Sequence, residues 1–80
     1  MFEKVQKIIA EYFGISPRKI AMETHLVADL EASSLDMVEL VMAFENSFNL
    51  VIPDQDIFQL SCIRDIVQYL EIHTAAAMQA

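Results

Sequence analysis

The apolar positions of this chain fall into three helical stripes separated by two stretches without a sustained period. Phe2, Val5, Ile8, Ile9, Tyr12 and Phe13 recur at three- and four-residue steps, the spacing that places side chains on one face of an α-helix. Gly14 follows where a left-handed C-terminal cap is wanted. A first helix over residues 2–13 is therefore predicted. Leu35 to Phe48 contains neither Gly nor Pro, follows Ser33 and Ser34, and carries Asp36 in its first turn, which are the marks of a second helix of about four turns. Asn49 is suited to a left-handed exit. The third stripe, Ile63, Ile66, Val67 and Leu70, follows Ser61 and ends near Ile72. It predicts a last helix capped by Ser61, leaving residues 73–80 as an Ala-rich end expected to fray.

Between these helices the pattern changes. From Ile15 to Ser33 the apolar residues Ile20, Met22, Leu26, Val27 and Leu30 are irregularly spaced, and Ser16-Pro17 can open a short helical turn. This stretch is expected to be a long loop anchored to the core, a length at which loops are commonly functional. After Asn49, Val51 to Pro53 reads as a short extended link, and Pro53-Asp54 opens a short third helix through about Gln59. The resulting expectation is an all-α protein: a four-helix bundle with a long loop between helices one and two and a short helix three. Residues 1–80 form one domain, its ordered core spanning about 2–72.

Helix two has more apolar residues than one core-facing stripe can use. Met37, Leu40, Val41, Phe44 and Phe48 are assigned to the core, where they are expected to meet Ile52, Ile57, Ile63 and Ile66. Leu35, Val38 and Met42 form a second row, with Glu39 and Glu45 beside it. An apolar strip rimmed by acids on a small protein suggests a docking surface, with Met providing adaptable contacts. The other reading is that helix two is simply the central, most buried helix.

Charge favours docking. The 80 residues carry a formal net charge of −7, and residues 20–63 hold eight acids with no Lys or Arg. That surface repels phosphate backbones and anionic membranes and attracts a basic patch on another protein. No apolar run approaches the roughly 18 residues of a membrane span, and Glu3, Lys4, Lys7 and Glu11 interrupt the opening segment, unlike a signal peptide. With Cys62 the only cysteine, no internal disulfide or thiolate zinc cage can form, and a reduced, cytoplasmic location is expected.

Candidate chemistry gathers at Ser34. It stands where free backbone N–H groups and the positive end of the helix dipole favour an anion such as a phosphate ester, although Ser33 or Ser34 could equally serve as an N-cap. A serine hydrolase is not supported, because Ser34 lacks flanking glycines and no histidine relay is evident. Asp54-x-Asp56 begins like a calcium loop, but Gln59 takes the required glycine position. His25 is expected to hydrogen-bond within its loop, His73 to end the last helix, and Cys62 to pack near the Ser61 cap. No metal site is expected.

The run Asp29-Leu30-Glu31-Ala32-Ser33-Ser34-Leu35-Asp36, followed by Val38-Glu39-Leu40-Val41-Met42-Ala43-Phe44-Glu45, Phe48 and Ile52-Pro53-Asp54, resembles the acyl carrier protein family. The likeness extends over nearly the whole chain, from helix one to Tyr69-Leu70. It implies a non-catalytic carrier whose serine, Ser34 by register, receives 4′-phosphopantetheine from coenzyme A and holds acyl groups as thioesters on the arm. It also implies partners: a holo-carrier synthase (phosphopantetheinyl transferase), and acyl synthases and transferases with basic docking patches. The docking residues carried over are Asp29, Leu35, Asp36, Val38, Glu39, Met42, Glu45, Asp54 and Phe58. A monomer is expected, since self-association would cover the docking row. Members can shelter cargo by parting helices two and three. Two positions depart from the family pattern: Ser33 replaces the Asp that usually precedes the modified serine, and Phe58 stands where fatty-acid carriers usually have an acid. A peptidyl or D-alanyl carrier, or an unmodified helical interaction module, are the alternatives.

Overall fold

The computed structural model describes residues 1–79, and for residues 75–79 the helical backbone alone. Helix α1 covers Phe2–Phe13, α2 Ser34–Phe48, α3 Asp54–Ile57 and α4 Ile63–Gln79, with a 3-10 turn at Pro17–Lys19 inside the long loop. Ser16 caps that turn through its side chain, with Pro17 at the first helical position. Gly14 closes α1 at φ 68° and Asn49 closes α2 at φ 53°, the left-handed conformations expected of these residues.

Helix α1 packs against both α2 and α4, while α3 touches α2. Val5, Ile9 and Ala10 of α1 meet Leu40, Val41 and Phe44 of α2 and Ile63, Ile66, Val67 and Leu70 of α4 in a single core. Met37 and Phe48 are half-buried at its edges. Ile20, Leu26 and Ala32 from the long loop, with Ile52 and Leu60 around α3, complete the interior. Polar atoms reinforce the assembly from outside: Gln6 Nε2 donates to the carbonyls of Pro17 (2.6 Å) and Ile20 (2.8 Å), and the Lys4 ammonium lies 4.7 Å from the centre of the Phe48 ring.

The loop is stitched to the start of α4. Leu26 N–H donates to Ser61 O, Ile63 N–H to Thr24 O and Arg64 N–H to Met22 O, at 2.9 to 3.0 Å. His25 and Cys62 form an isolated antiparallel bridge there. These bonds satisfy backbone groups that an irregular segment would otherwise bury unpaired.

Several sequence expectations need correction. Helix α3 ends at Ile57, so Phe58 is its C-cap, 88% exposed, and not an internal residue. Helix α4 begins after Cys62, whose N–H and Sγ both face Asp65 Oδ2 at 3.4 Å. The start of α4 is closed by this pair, with Cys62 and not Ser61 directly before the first helical residue. His73 does not end α4: it lies within the helix and stacks on Tyr69 with ring centres 4.0 Å apart. The helical backbone continues to Gln79. The expectation of a frayed end falls largely on residues 75–80, whose side chains, with all of Ala80, lie outside the described residues.

Candidate functional site at the start of α2

Chain direction into α2 is set by a small closed turn. His25 N–H donates to Asp29 Oδ2 (2.6 Å), and Ala28 N–H donates to His25 Nδ1 (3.1 Å). Glu31 then adopts φ 54°, a conformation that costs a residue bearing a Cβ roughly 1–2 kcal/mol. Ala32 N–H donates back to Leu26 O at 3.0 Å, so the turn is closed just before Ser33. His25 thus bonds within its loop, and the carboxylate of Asp29, expected to face partners, also holds this turn.

Of the two serines that the sequence offers as caps, Ser33 does the capping. Ser33 is the N-cap, in extended conformation (φ −86°, ψ 174°), and forms a reciprocal capping box with Asp36. Asp36 N–H donates to Ser33 Oγ (3.2 Å), while Asp36 Oδ2 accepts from Ser33 N–H (2.8 Å) and from Ser33 Oγ (3.0 Å). Met37 N–H donates to Ser33 O at 3.0 Å. Ser34 is the first helical residue and is exposed, and its hydroxyl takes no part in the cap. The N–H groups of Ser34 and Leu35 belong to the helix end that has no preceding turn to bond.

A neighbouring helix braces this first turn. Tyr12 of α1 donates its hydroxyl proton to Asp36 Oδ1 at 2.7 Å and, alternatively, to Glu39 Oε2. These carboxylates hold the phenol far above its usual ionisation range, the hydrogen bond to Glu39 contributing most and that to Asp36 next. Asp36 moves the other way: the Ser33 N–H, and after it the Tyr12 hydroxyl, hold its carboxyl below the ordinary range. Tyr12 belongs to the core-facing stripe of α1, and its half-buried ring packs against the core. Periodicity fixes the face of a helix but cannot show what a hydroxyl at the edge of that face reaches.

On the opposite side of Ser34 a groove of about 820 Å³ opens between the loop, α2 and α3. Ser33 and Ser34 stand at its wall, and Met37, Ile57, Leu60 and Phe58 provide much of its apolar lining. Along α2 the predicted second row is outward-facing: Leu35 is 66%, Val38 46% and Met42 55% exposed. Glu39 and Asp54 are exposed as well. Glu45 is half-buried, its Oε2 accepting from Ile52 N–H at 2.9 Å. Among the described residues no group of three or more His, Cys, Asp or Glu is arranged to hold a metal ion. Nor is any described helix long and apolar enough to cross a membrane.

Comparison with known proteins places this four-helix architecture in a class of carrier domains. Residues 3–70 match the family described as the phosphopantetheine attachment site. The chain is 45% identical over 74 residues to a protein of Clostridium acetobutylicum named acyl carrier protein, covering 92% of this chain and 96% of that one. Proteins of the same name from Zymomonas mobilis (40% over 73 residues, 91% and 94% covered) and Bdellovibrio bacteriovorus (48% over 68 residues, 85% and 87% covered) are similarly related. This chain belongs to the acyl carrier protein family. It is a carrier and not a catalyst, and its cofactor is 4′-phosphopantetheine.

Proposed function

We propose that Ser34 bears the phosphopantetheine arm and that the exposed row of α2 is the surface on which partner enzymes dock. The observation that carries the assignment is the division of labour at the helix start. Ser33 and Asp36 complete the cap between themselves, so Ser34 can be esterified without dismantling it. The arm supplies a thiol on which acyl groups travel as thioesters. The chain's own part is to fix the ester where the helix dipole and the Ser34 and Leu35 N–H groups oppose a phosphate charge. In the transfer, Ser34 Oγ forms a bond to the β-phosphorus of coenzyme A as the pyrophosphate link breaks. Adenosine 3′,5′-bisphosphate leaves, and the hydroxyl proton passes to a base of the transferase.

Ser33 therefore supplies the cap without the usual carboxylate. Leu35, Val38 and Met42 offer apolar contact, with Phe58 across the groove, and Glu39, Glu45, Asp54 and Asp29 supply negative charge for basic patches on a holo-carrier synthase and on acyl synthases and transferases. Asp36 serves this surface from within, by holding its first turn. The acidic rim favours acyl cargo over peptidyl or D-alanyl cargo. A monomer in the cytoplasm, delivering intermediates of fatty acid, polyketide or related biosynthesis, fits this surface.

Intact mass after incubation with coenzyme A and a phosphopantetheinyl transferase tests the attachment. The unaltered chain and Ser33→Ala are expected to gain one phosphopantetheine and Ser34→Ala none; a gain by Ser34→Ala overturns the assignment. The apolar groove beside Ser34 is suited to shelter the first part of an acyl chain. Acylation is then expected to shift the NMR resonances of Met37, Ile57 and Leu60, and shifts confined to residues around Ser34 would mean that the cargo stays outside.

A further inference from the structure

Among the acids around the docking row, Asp36 and Glu39 are held differently. Asp36 accepts from Ser33 at Oδ2, and its Oδ1 shares the single Tyr12 hydroxyl proton with Glu39. Glu39 is held through Oε2 by the Tyr12 hydroxyl and sits beside Val38 on the exposed part of α2. The kind of donor matters. A lysine or arginine from α1 would orient Glu39 equally well but cancel its charge, whereas a phenol that keeps its proton orients the carboxylate and leaves the charge intact. Among the described residues the one ion pair is Arg64 with Glu23, remote in sequence from this row. Glu45 is secured in the same neutral manner, by the N–H of Ile52.

We propose that Tyr12 is a positioning residue for partner recognition: reaching from α1, its hydroxyl fixes Glu39 through one oxygen and leaves the carboxylate's charge available to a basic side chain of the docking enzyme. This extends the docking role assigned to α2 and rests on it. A glutamate free to rotate must be ordered when the partner arrives, and ordering one such side chain weakens binding by roughly three- to tenfold.

The test is steady-state modification of the apo chain by a phosphopantetheinyl transferase with coenzyme A as donor, comparing the unaltered chain, Tyr12→Phe, Glu39→Gln and the double variant. Tyr12→Phe is expected to raise KM for the carrier roughly three- to tenfold with kcat within about twofold. In the Glu39→Gln background the same change is expected to leave KM unmoved, because the charge that Tyr12 positions is gone. Tyr12→Lys provides a second reading independent of the phenyl ring: it can hold Glu39 but neutralises it, so KM is expected to rise as well. An unchanged KM in Tyr12→Phe or in Tyr12→Lys overturns the proposal. So does an equal rise with and without Glu39, which would mean a general loosening of the bundle. Failure of the unaltered chain to be modified at all would instead overturn the carrier reading, and this extension with it.

Discussion

The two sides of α2 are built to different standards. Toward α1 the helix buries Leu40, Val41 and Phe44 against Val5 and Ile9, and at its first turn Tyr12 bonds to Asp36 and Glu39. Toward α3 it faces a four-residue helix, a groove of about 820 Å³ and a phenylalanine that is almost wholly exposed. A helix that presents Ser34 for modification, as proposed, needs one firm flank. A helix that is to shelter cargo in the adjoining groove, as proposed, needs one yielding flank. The asymmetry gives both to the same element, with Ser34 at the junction.

The largest contrast should appear in unfolding. Phe44→Ala empties a fully buried site and is expected to cost about 3–5 kcal/mol, whereas Phe58→Ala is expected to stay within about 0.5 kcal/mol; urea denaturation of both variants measures the difference. If Phe58→Ala proved equally costly, the α3 flank would be packed and the asymmetry lost.

A smaller effect sharpens the account of the firm flank. Ser33→Ala removes the cap and is expected to cost about 1 kcal/mol, while Ser33→Asp, which can still accept from the Asp36 N–H, is expected to cost less. Acid should probe the same bonds. Asp36 ionises more readily in the fold than its reference value of 3.8, so its contribution is present above that pH and is lost as pH falls through the lower folded value. Melting temperatures of Asp36→Asn are therefore expected to decline less than those of the unaltered chain as pH is lowered below about 4.

How much of this was legible in the sequence depends on the kind of interaction. The bounds of α1, the left-handed exits at Gly14 and Asn49, and the outward row of Leu35, Val38 and Met42 follow from periodicity and backbone preference, which act locally. The fold class followed from the same signals. The caps were harder. Ser33 and Ser34 are chemically equivalent as capping residues, and only the Asp36 side chain, bonding back to one of them, separates their roles. At α4, Ser61 is the residue type that caps helices, but the helix starts one residue later than that role requires, leaving Cys62 before it with its N–H on Asp65. Tyr12, the groove and the exposure of Phe58 depend on which elements meet in space, information that spacing along one helix does not contain.

The stitching of residues 22–26 to residues 61–64 has a consequence for the order of events during synthesis. As the chain leaves the ribosome, Ser34 emerges well before the segment that secures the loop leading into it. The proposed attachment residue exists before its surroundings do, since contacts so far apart in sequence form only when the later partner is available. The direction in which the loop delivers the chain to α2 is in this way settled only once residues 61–64 have been made.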